Sequence, residues 1–256
     1  MSHATPSPEM RLLGLTALPE VTPGMDLAEL ARDAVRDAGE TFQDGDVLVV
    51  THKIVAKAEG GLVDLRTVEP SDFAREWAAA WSKDPRHVEV VLRESARVVR
   101  MDRGVLITQT RHGFVCANSG VDASNVPGEE VVCLLPLDPD ATALATHRAI
   151  KEATGAHVAV IIADSFGRPW RNGIVNVAIG VAGIAPLVDY RGQTDDFGRT
   201  MQVSVLAVAD ELASAAELVM GKVSRCPMAL IRGYTYDRRE GSARELLMDP
   251  TTDMFR

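Results

Sequence analysis

The sequence predicts an α+β protein in which mixed sheets carry flanking helices. Helical and strand-like periodicities intermingle along the chain without settling into a regular βαβ repeat. Two near-continuous apolar runs, at 46–50 and 157–163, have the character of strands buried on both faces. Short strand candidates between 98 and 117 are separated by the turn dipeptides Arg103-Gly104 and His112-Gly113, the pattern of hairpins.

Taken in order, residues 1–9 are polar, with Pro6 and Pro8, so a flexible start over 1–11 is expected ahead of a folded domain at 12–256. Residues 25–39 read as a helix, because Leu27, Leu30, Ala31, Ala34 and Val35 recur at helical spacing and Gly39 can stop it. Asp44-Gly45 is a turn into the strand 46–50, and residues 53–61 read as a loop or short connection. Helices are expected over 72–82 and 85–96, the second with Val88, Val91 and Leu92 on one side. Three short strands follow, at 98–101, 104–108 and 113–117. Residues 138–154 read as a helix capped by Asp138 or Asp140. The remaining expectations are strands at 157–163, 173–181, 201–207 and 227–231, an alanine-rich helix over 208–220, and a short helix at 242–247. There is no internal repeat. The weakest join lies at 64–84, where a subdivision of the domain is placed.

The 256 residues are 46% hydrophobic and 25% charged, an ordinary globular balance, with a net charge of -9. An acidic surface repels phosphate backbones, which argues against nucleic acid as a general partner. A small phosphorylated ligand is compatible with it, since bound divalent metals reverse the local sign of a site. Cys116, Cys133 and Cys226 are widely spaced with no CxxC pair, the usage of buried free thiols in a reducing compartment. No segment approaches the roughly 18 apolar residues of a membrane span, and the start lacks a signal-peptide pattern, so a cytoplasmic protein is expected. The Walker-type phosphate loop, the GxGxxG fingerprint, HExxH and GxSxG are all missing. A nucleotide, if bound, is held by other means.

Four polar stretches carry chemistry. In 118–126, Asn118, Ser119 and Gly120 favour a sharp turn, Asp122 offers the hard anionic oxygen that Mg²⁺ or Mn²⁺ takes, and Asn125 can bond a phosphate or sugar. The plainer reading of this stretch is a structural Asx-turn. In 162–173 a buried strand is expected to end in Asp164-Ser165, a metal-binding carboxylate beside a hydroxyl for a second ion. Arg168 and Arg171 follow as clamps for carboxylate or phosphate, or simply as partners of Asp164. Trp170 can stack a flat ligand or anchor the core. Lys53 and Lys57 can neutralise a triphosphate or sit in a solvated loop. Residues 220–227 form either a basic loop over a nucleotide or an ordinary helix end. None of the six histidines has metal-ligand spacing, and His52, beside the lysines, is the one to follow.

With Leu18-Pro19-Glu20-Val21, 51–60, 135–140 and 207–213, these stretches occur in the order that resembles the coenzyme F-420-0:L-glutamate ligase (γ-glutamyl ligase) family, from about Leu12 onward. The resemblance implies a distinctive α+β fold in intertwined homodimers. It implies GTP, two divalent ions (Mn²⁺ or Mg²⁺), a potassium ion, the phospholactate-bearing deazaflavin and L-glutamate as ligands. Carried over residue by residue, it puts the first metal on Asp122 and Asp164, with Ser165 helping to hold the second. It lines the GTP site with Leu18, Pro19, Glu20, Val21, His52, Lys57, Asn125 and the loop starting Met220, Gly221, Lys222. The implied chemistry is phosphorylation of the lactyl carboxylate, supported by Lys57 and the metals, then attack by the glutamate amino group, with Arg168 or Arg171 on the acceptor. Three departures from the family pattern stand out. His52 is bulky where many relatives carry a small residue, Thr200 stands where glutamate is frequent, and 222–226 is not glycine-rich. The chain ends at Arg256, so the flavin-binding reductase-like domain that some relatives carry is expected to be absent. The alternatives are a related metal-dependent ligase with another acid acceptor and a non-catalytic deazaflavin- or nucleotide-binding protein. The paired Asp122 and Asp164 favour catalysis.

Overall fold

The apolar run after the Asp44-Gly45 turn forms β2 (Val47–Thr51), whose first four residues are fully buried, and its position organises the rest. The computed structural model describes residues 7–253, so the first part of the expected flexible segment 1–11 lies outside the described residues. Arg11 already opens β1 (Arg11–Leu15). The other elements, in chain order, are α1 (Leu27–Asp37), α2 (His52–Glu59), β3 (Leu62–Asp64), α3 (Asp72–Trp81), α4 (Pro85–Glu94), β4 (Ser95–Asp102), β5 (Val105–Thr110), β6 (Val115–Ala117) and β7 (Val131–Cys133). They continue with α5 (Pro139–Thr154), β8 (Ala159–Arg168), β9 (Arg171–Ala182), β10 (Val188–Asp189), β11 (Val205–Leu206), α6 (Val208–Met220) and β12 (Met228–Arg232).

The main sheet runs β1-β12-β2-β8-β9. Its pairs are antiparallel except β2 with β8, which are parallel and in register from Val47↔Ala159 to Thr51↔Ala163. Separate small sheets are formed by β4-β5-β6, β3-β7 and β10-β11. Mixed sheets with flanking helices are thus what the chain folds into. The larger core joins β2, β8, β9 and β12 to the apolar faces of α1, α5 and α6. A second, smaller core gathers Leu65, Ala74, Ala78, Val88, Val91, Leu106 and Val132, entirely from the segment between α2 and α5. No described helix is long and apolar enough to cross a membrane.

Three expectations are corrected. Residues 53–61 are not a loop: α2 spans His52–Glu59 and stops at Gly60, whose φ of 75° suits glycine. The helix is short, and its buried residues His52 to Lys57 are nearly consecutive, so no amphipathic stripe marks it. The strand expected to end at Asp164-Ser165 continues to Arg168 and returns through Pro169-Trp170 as β9, one long hairpin whose distal half is polar because it leaves the core. Of the strand expected at 201–207, only Val205 and Leu206 pair, with β10.

Caps fix the helix α5. Asp138 accepts from Ala141 N at 3.0 Å, the N-cap role. Asp140 instead accepts from Val181 N at 2.8 Å and Ala243 N at 2.9 Å, tying α5 to β9 and to the short helix Ala243–Leu246. This close approach needs Gly180: a Cβ there would lie 2.4 Å from Pro139 O. Gly180→Ala should therefore push α5 off the sheet and cost about 1–3 kcal/mol, read as a lowered urea midpoint; an unchanged midpoint would show that the contact yields freely.

Candidate functional site

A cavity of about 500 Å³ opens where the carboxyl end of β2 and the start of α2 meet three loops and the end of α6. Thr51 carries the chain from β2 into α2, and Lys53 and Lys57, one helical turn apart, project from one face of α2 onto the cavity. Leu18, Pro19, Glu20 and Val21, after β1, form a second wall. Asn125, Val126 and Pro127 form a third, and Met220 to Lys222 with Arg225 a fourth. Ser165 of β8, Asn176 of β9 and Glu217 of α6 form the floor. Four cationic side chains (Lys53, Lys57, Lys222, Arg225) line it against two acidic ones (Glu20, Glu217), so a chain of net charge -9 carries a locally positive hollow. That is the field an anionic ligand requires.

The lysines are positioned by carboxylates. Lys57, buried, reaches Glu20 Oε1 at 2.5 Å, and Lys53 reaches Asp122 Oδ2 at 2.7 Å and Ser124 Oγ at 2.6 Å. Asp122 Oδ1 accepts from Ser124 N at 2.6 Å, the Asx-turn read from the sequence. Burial pushes the Asp122 carboxyl up, but Lys53 and the Ser124 hydrogen bonds outweigh it and hold it below the ordinary carboxylate range. On the neighbouring residue of α2, the His52 side chain is 1% exposed, with Nδ1 3.1 Å from Asp164 Oδ1. That is an ion-pair distance at an angle that makes no hydrogen bond, and neither ring nitrogen has a well-formed partner. Burial would lower the His52 pKa, yet the Asp164 carboxylate, with a smaller contribution from Cys133, raises it to about 9. The first turn of α2 thus holds both expected metal carboxylates, Asp122 through Lys53 and Asp164 through His52. Burial and the charge of Asp164 push the Cys116 thiol up to about 12, so it is no nucleophile. All three cysteines are buried and free.

The fit to divalent metals is divided. Asp122 and Asp164 supply hard carboxylate oxygens, and Asp164 Oδ2 takes no hydrogen bond among the described residues. No group of three or more His, Cys, Asp or Glu side chains is gathered as ligands among the described residues. A small dication commonly uses one or two carboxylates and completes its shell with phosphate oxygens and water, so each carboxylate is of the donor type such an ion takes, although neither lines the cavity wall. Ser165 does not suit a second. Because β8 continues through it, Asp164 and Ser165 point to opposite faces of the strand. The Ser165 hydroxyl is moreover engaged by Asn176 and by the ammonium of Lys222.

Every residue expected to touch the nucleotide lines this cavity except His52, which is buried beside Asp164. Arg168 and Arg171 are cross-strand partners at the tip of the β8–β9 hairpin and do not line it. Arg168 Nη2 bonds Asn172 O at 2.8 Å. Trp170, 82% exposed, stands at the same tip and is not a core anchor. Thr200 lies on an exposed loop, bridged to Thr194. The residue reading missed Asn176 and Glu217. The signals were present: a lone asparagine in the apolar run 174–182, and a carboxylate in the last turn of α6, where the helix dipole disfavours it unless a cation compensates.

The family model described as F420-0:Gamma-glutamyl ligase matches residues 16–233. A protein of Methanothermobacter thermautotrophicus named coenzyme F420:L-glutamate ligase is 44% identical over 248 residues, covering 96% of this chain and 98% of its own. Proteins of the same name from Methanopyrus kandleri, 44% identical over 254 residues (97% and 98% covered), and from Methanocaldococcus jannaschii, 43% identical over 216 residues (84% and 86% covered), are similar to it as well.

Proposed function

This chain belongs to the F420-0:gamma-glutamyl ligase family and is a ligase, and from that premise we propose that it joins L-glutamate in amide linkage to coenzyme F-420-0, driven by GTP. The observation that carries the reading is the positive cavity itself. The residues matched to the nucleotide site, His52 excepted, come together around one hollow, with Lys53, Lys57, Lys222 and Arg225 on its wall.

The chemistry follows from what the substrates need. A carboxylate is a poor electrophile, so the lactyl carboxylate of the acceptor attacks the γ-phosphorus of GTP and GDP leaves. The glutamate amino group then attacks the acyl phosphate carbon, an amide bond forms, inorganic phosphate leaves, and the ammonium proton is released to solvent. Lys57 exchanges Glu20 for phosphate oxygens in this reading, and its burial strengthens that contact. Lys53 holds Asp122 in place, and His52 holds Asp164. A Mn²⁺ or Mg²⁺ bound by Asp122 and Asp164 would neutralise phosphate charge during transfer. A potassium ion belongs to the same proposal and is tested by replacing potassium with sodium in the assay.

Arg171, exposed at the hairpin tip, is the residue this reading gives to the acceptor's carboxylate or phosphate. Arg171→Ala should raise the acceptor KM about tenfold, the loss of one charge-assisted hydrogen bond, with the GTP KM unchanged. An unmoved acceptor KM removes Arg171 from the site.

The small sheet β4-β5-β6 supports a homodimer. Val98 and Met101 on one face, and Val105 and Val115 on the other, are exposed, apolar area of the kind an interface covers. Sedimentation velocity tests this, and a monomer at all concentrations would exclude it.

The test of the activity is mass spectrometry of a reaction holding F-420-0, L-glutamate, GTP and Mn²⁺. A product heavier by one or more glutamyl units is expected. GTP hydrolysis without a mass gain would point to a different acid acceptor, and the absence of both hydrolysis and mass gain would refute the reading.

A further inference from the structure

Four side chains close a hydrogen-bonded ring on the floor of the cavity. Ser165 Oγ donates to Asn176 Oδ1 at 2.6 Å, and Asn176 Nδ2 donates to Glu217 Oε2 at 2.9 Å. Glu217 Oε1 pairs with Lys222 Nζ at 2.9 Å, and Lys222 Nζ donates back to Ser165 Oγ. Three members stand on regular elements. Ser165 and Asn176 are register partners on β8 and β9, and Glu217 lies in the last turn of α6. Asn176 is buried, and its main-chain carbonyl is tied to Ser214 Oγ at 2.7 Å. Only Lys222 comes from a loop, with its side chain 53% exposed.

The three anchored members converge a hydroxyl, an amide carbonyl and a carboxylate. These are hard oxygens, the ligand class of small divalent cations. What meets them is an ammonium. The Ser165 proton is committed to Asn176 and one of its lone pairs to Lys222, and a dication on that hydroxyl would sit against a like charge. Asp164, the nearest carboxylate in sequence, points to the other face of β8.

We infer that the Lys222 ammonium stands in the place of a second divalent cation, so that this chain binds a single metal with its nucleotide and sets a tethered positive charge against the phosphates on the opposite side. The inference rests on reading the cavity as the nucleotide site. A lysine is a compact point charge with three donors, suited to spanning Ser165, Glu217 and a phosphate oxygen at once.

The test counts Mn²⁺ bound to the full chain with a non-hydrolysable GTP analogue, by metal analysis and electron paramagnetic resonance. One Mn²⁺ per chain with an uncoupled spectrum is expected for the wild type. Lys222→Ala removes the ammonium and leaves the oxygens, and should bind two, with a spin-coupled spectrum; Lys222→Glu should do so more tightly. Two coupled ions in the wild type would overturn the inference while leaving the ligase reading intact. A stoichiometry of one in both variants would equally overturn it. No bound Mn²⁺ in any of the three would sink it together with the metal role of Asp122 and Asp164.

Discussion

Asp164→Asn is expected to leave the chain folded and to lower glutamyl transfer by about 100- to 1,000-fold, the scale of removing one electrostatic group that stabilises a developing charge. The substitution is close to isosteric. The amide oxygen can still accept from Ser165 N, which lies 2.6 Å from Oδ1, so the local backbone of β8 is kept. What is lost is the anionic charge. A neutral amide holds a divalent ion far less well than a carboxylate, so Mn²⁺ affinity should fall with turnover. Stability should fall by much less. In the wild type the Asp164 carboxylate outweighs burial and keeps His52 charged, with its pKa near 9. Without that carboxylate, burial governs and the imidazole sheds its proton, which avoids an unpaired charge in the core. The two consequences separate in experiment. Product mass reads the first, and a thermal melt reads the second. Full product formation by a folded variant would remove Asp164 from the chemistry.

The site was legible to the extent that its residues lie in short, chemically loaded segments. The loops at 118–126 and 220–227 announce themselves by composition and 18–21 entered through the family resemblance, and three of the cavity walls come from these segments. The helix α6 was legible to its ends, because a long alanine-rich stretch stops at a glycine. What was not legible depends on long-range pairing. The strand β1 pairs with β12 from the opposite end of the chain, and nothing within five residues marks that partner. The same holds for β3 with β7, three residues each. The extension of β8 past Asp164 was misread because polar residues in a strand resemble a loop when the partner strand is unseen. That error mattered most, since it put Asp164 and Ser165 on one side of a loop where the structure puts them on opposite faces of a strand. His52, given to the nucleotide by the family resemblance, turns inward at the start of α2 to Asp164 instead.

Arg232→Met should be the most destabilising single change in the main sheet away from the cavity, at about 3–5 kcal/mol, since it strands a buried charge. Arg232 ends β12 and grips Asp46 with both arms of its guanidinium, Nε to Oδ1 and Nη2 to Oδ2, each at 2.8 Å. Asp46 is 1% exposed and also accepts from Gln43 N at 2.8 Å. The same guanidinium reaches Glu40 Oε2 and Thr41 O, both at 2.9 Å, so one side chain ties β12 to the connection between α1 and β2. Methionine fills the space and supplies none of these bonds, leaving the Asp46 carboxylate without a counter-charge. The melting temperature should drop by roughly 10 °C. Arg232→Lys should recover only part of the loss, because an ammonium cannot span both carboxylate oxygens. The double variant Asp46→Asn with Arg232→Met should be more stable than Arg232→Met alone, since the stranded charge is then gone. The pH dependence should change in a defined direction. Arg11 and Arg232 hold the Glu40 carboxyl below the usual range, so the pair stabilises the fold above that range and the benefit is lost as the pH falls through the lowered value. Removing Arg232 leaves Arg11 as the sole partner, so the variant should lose less stability on acidification than the wild type does. A melting temperature within about 2 °C of the wild type would mean that water reaches Asp46 in place of the lost guanidinium, and that the clamp orients β12 without holding it.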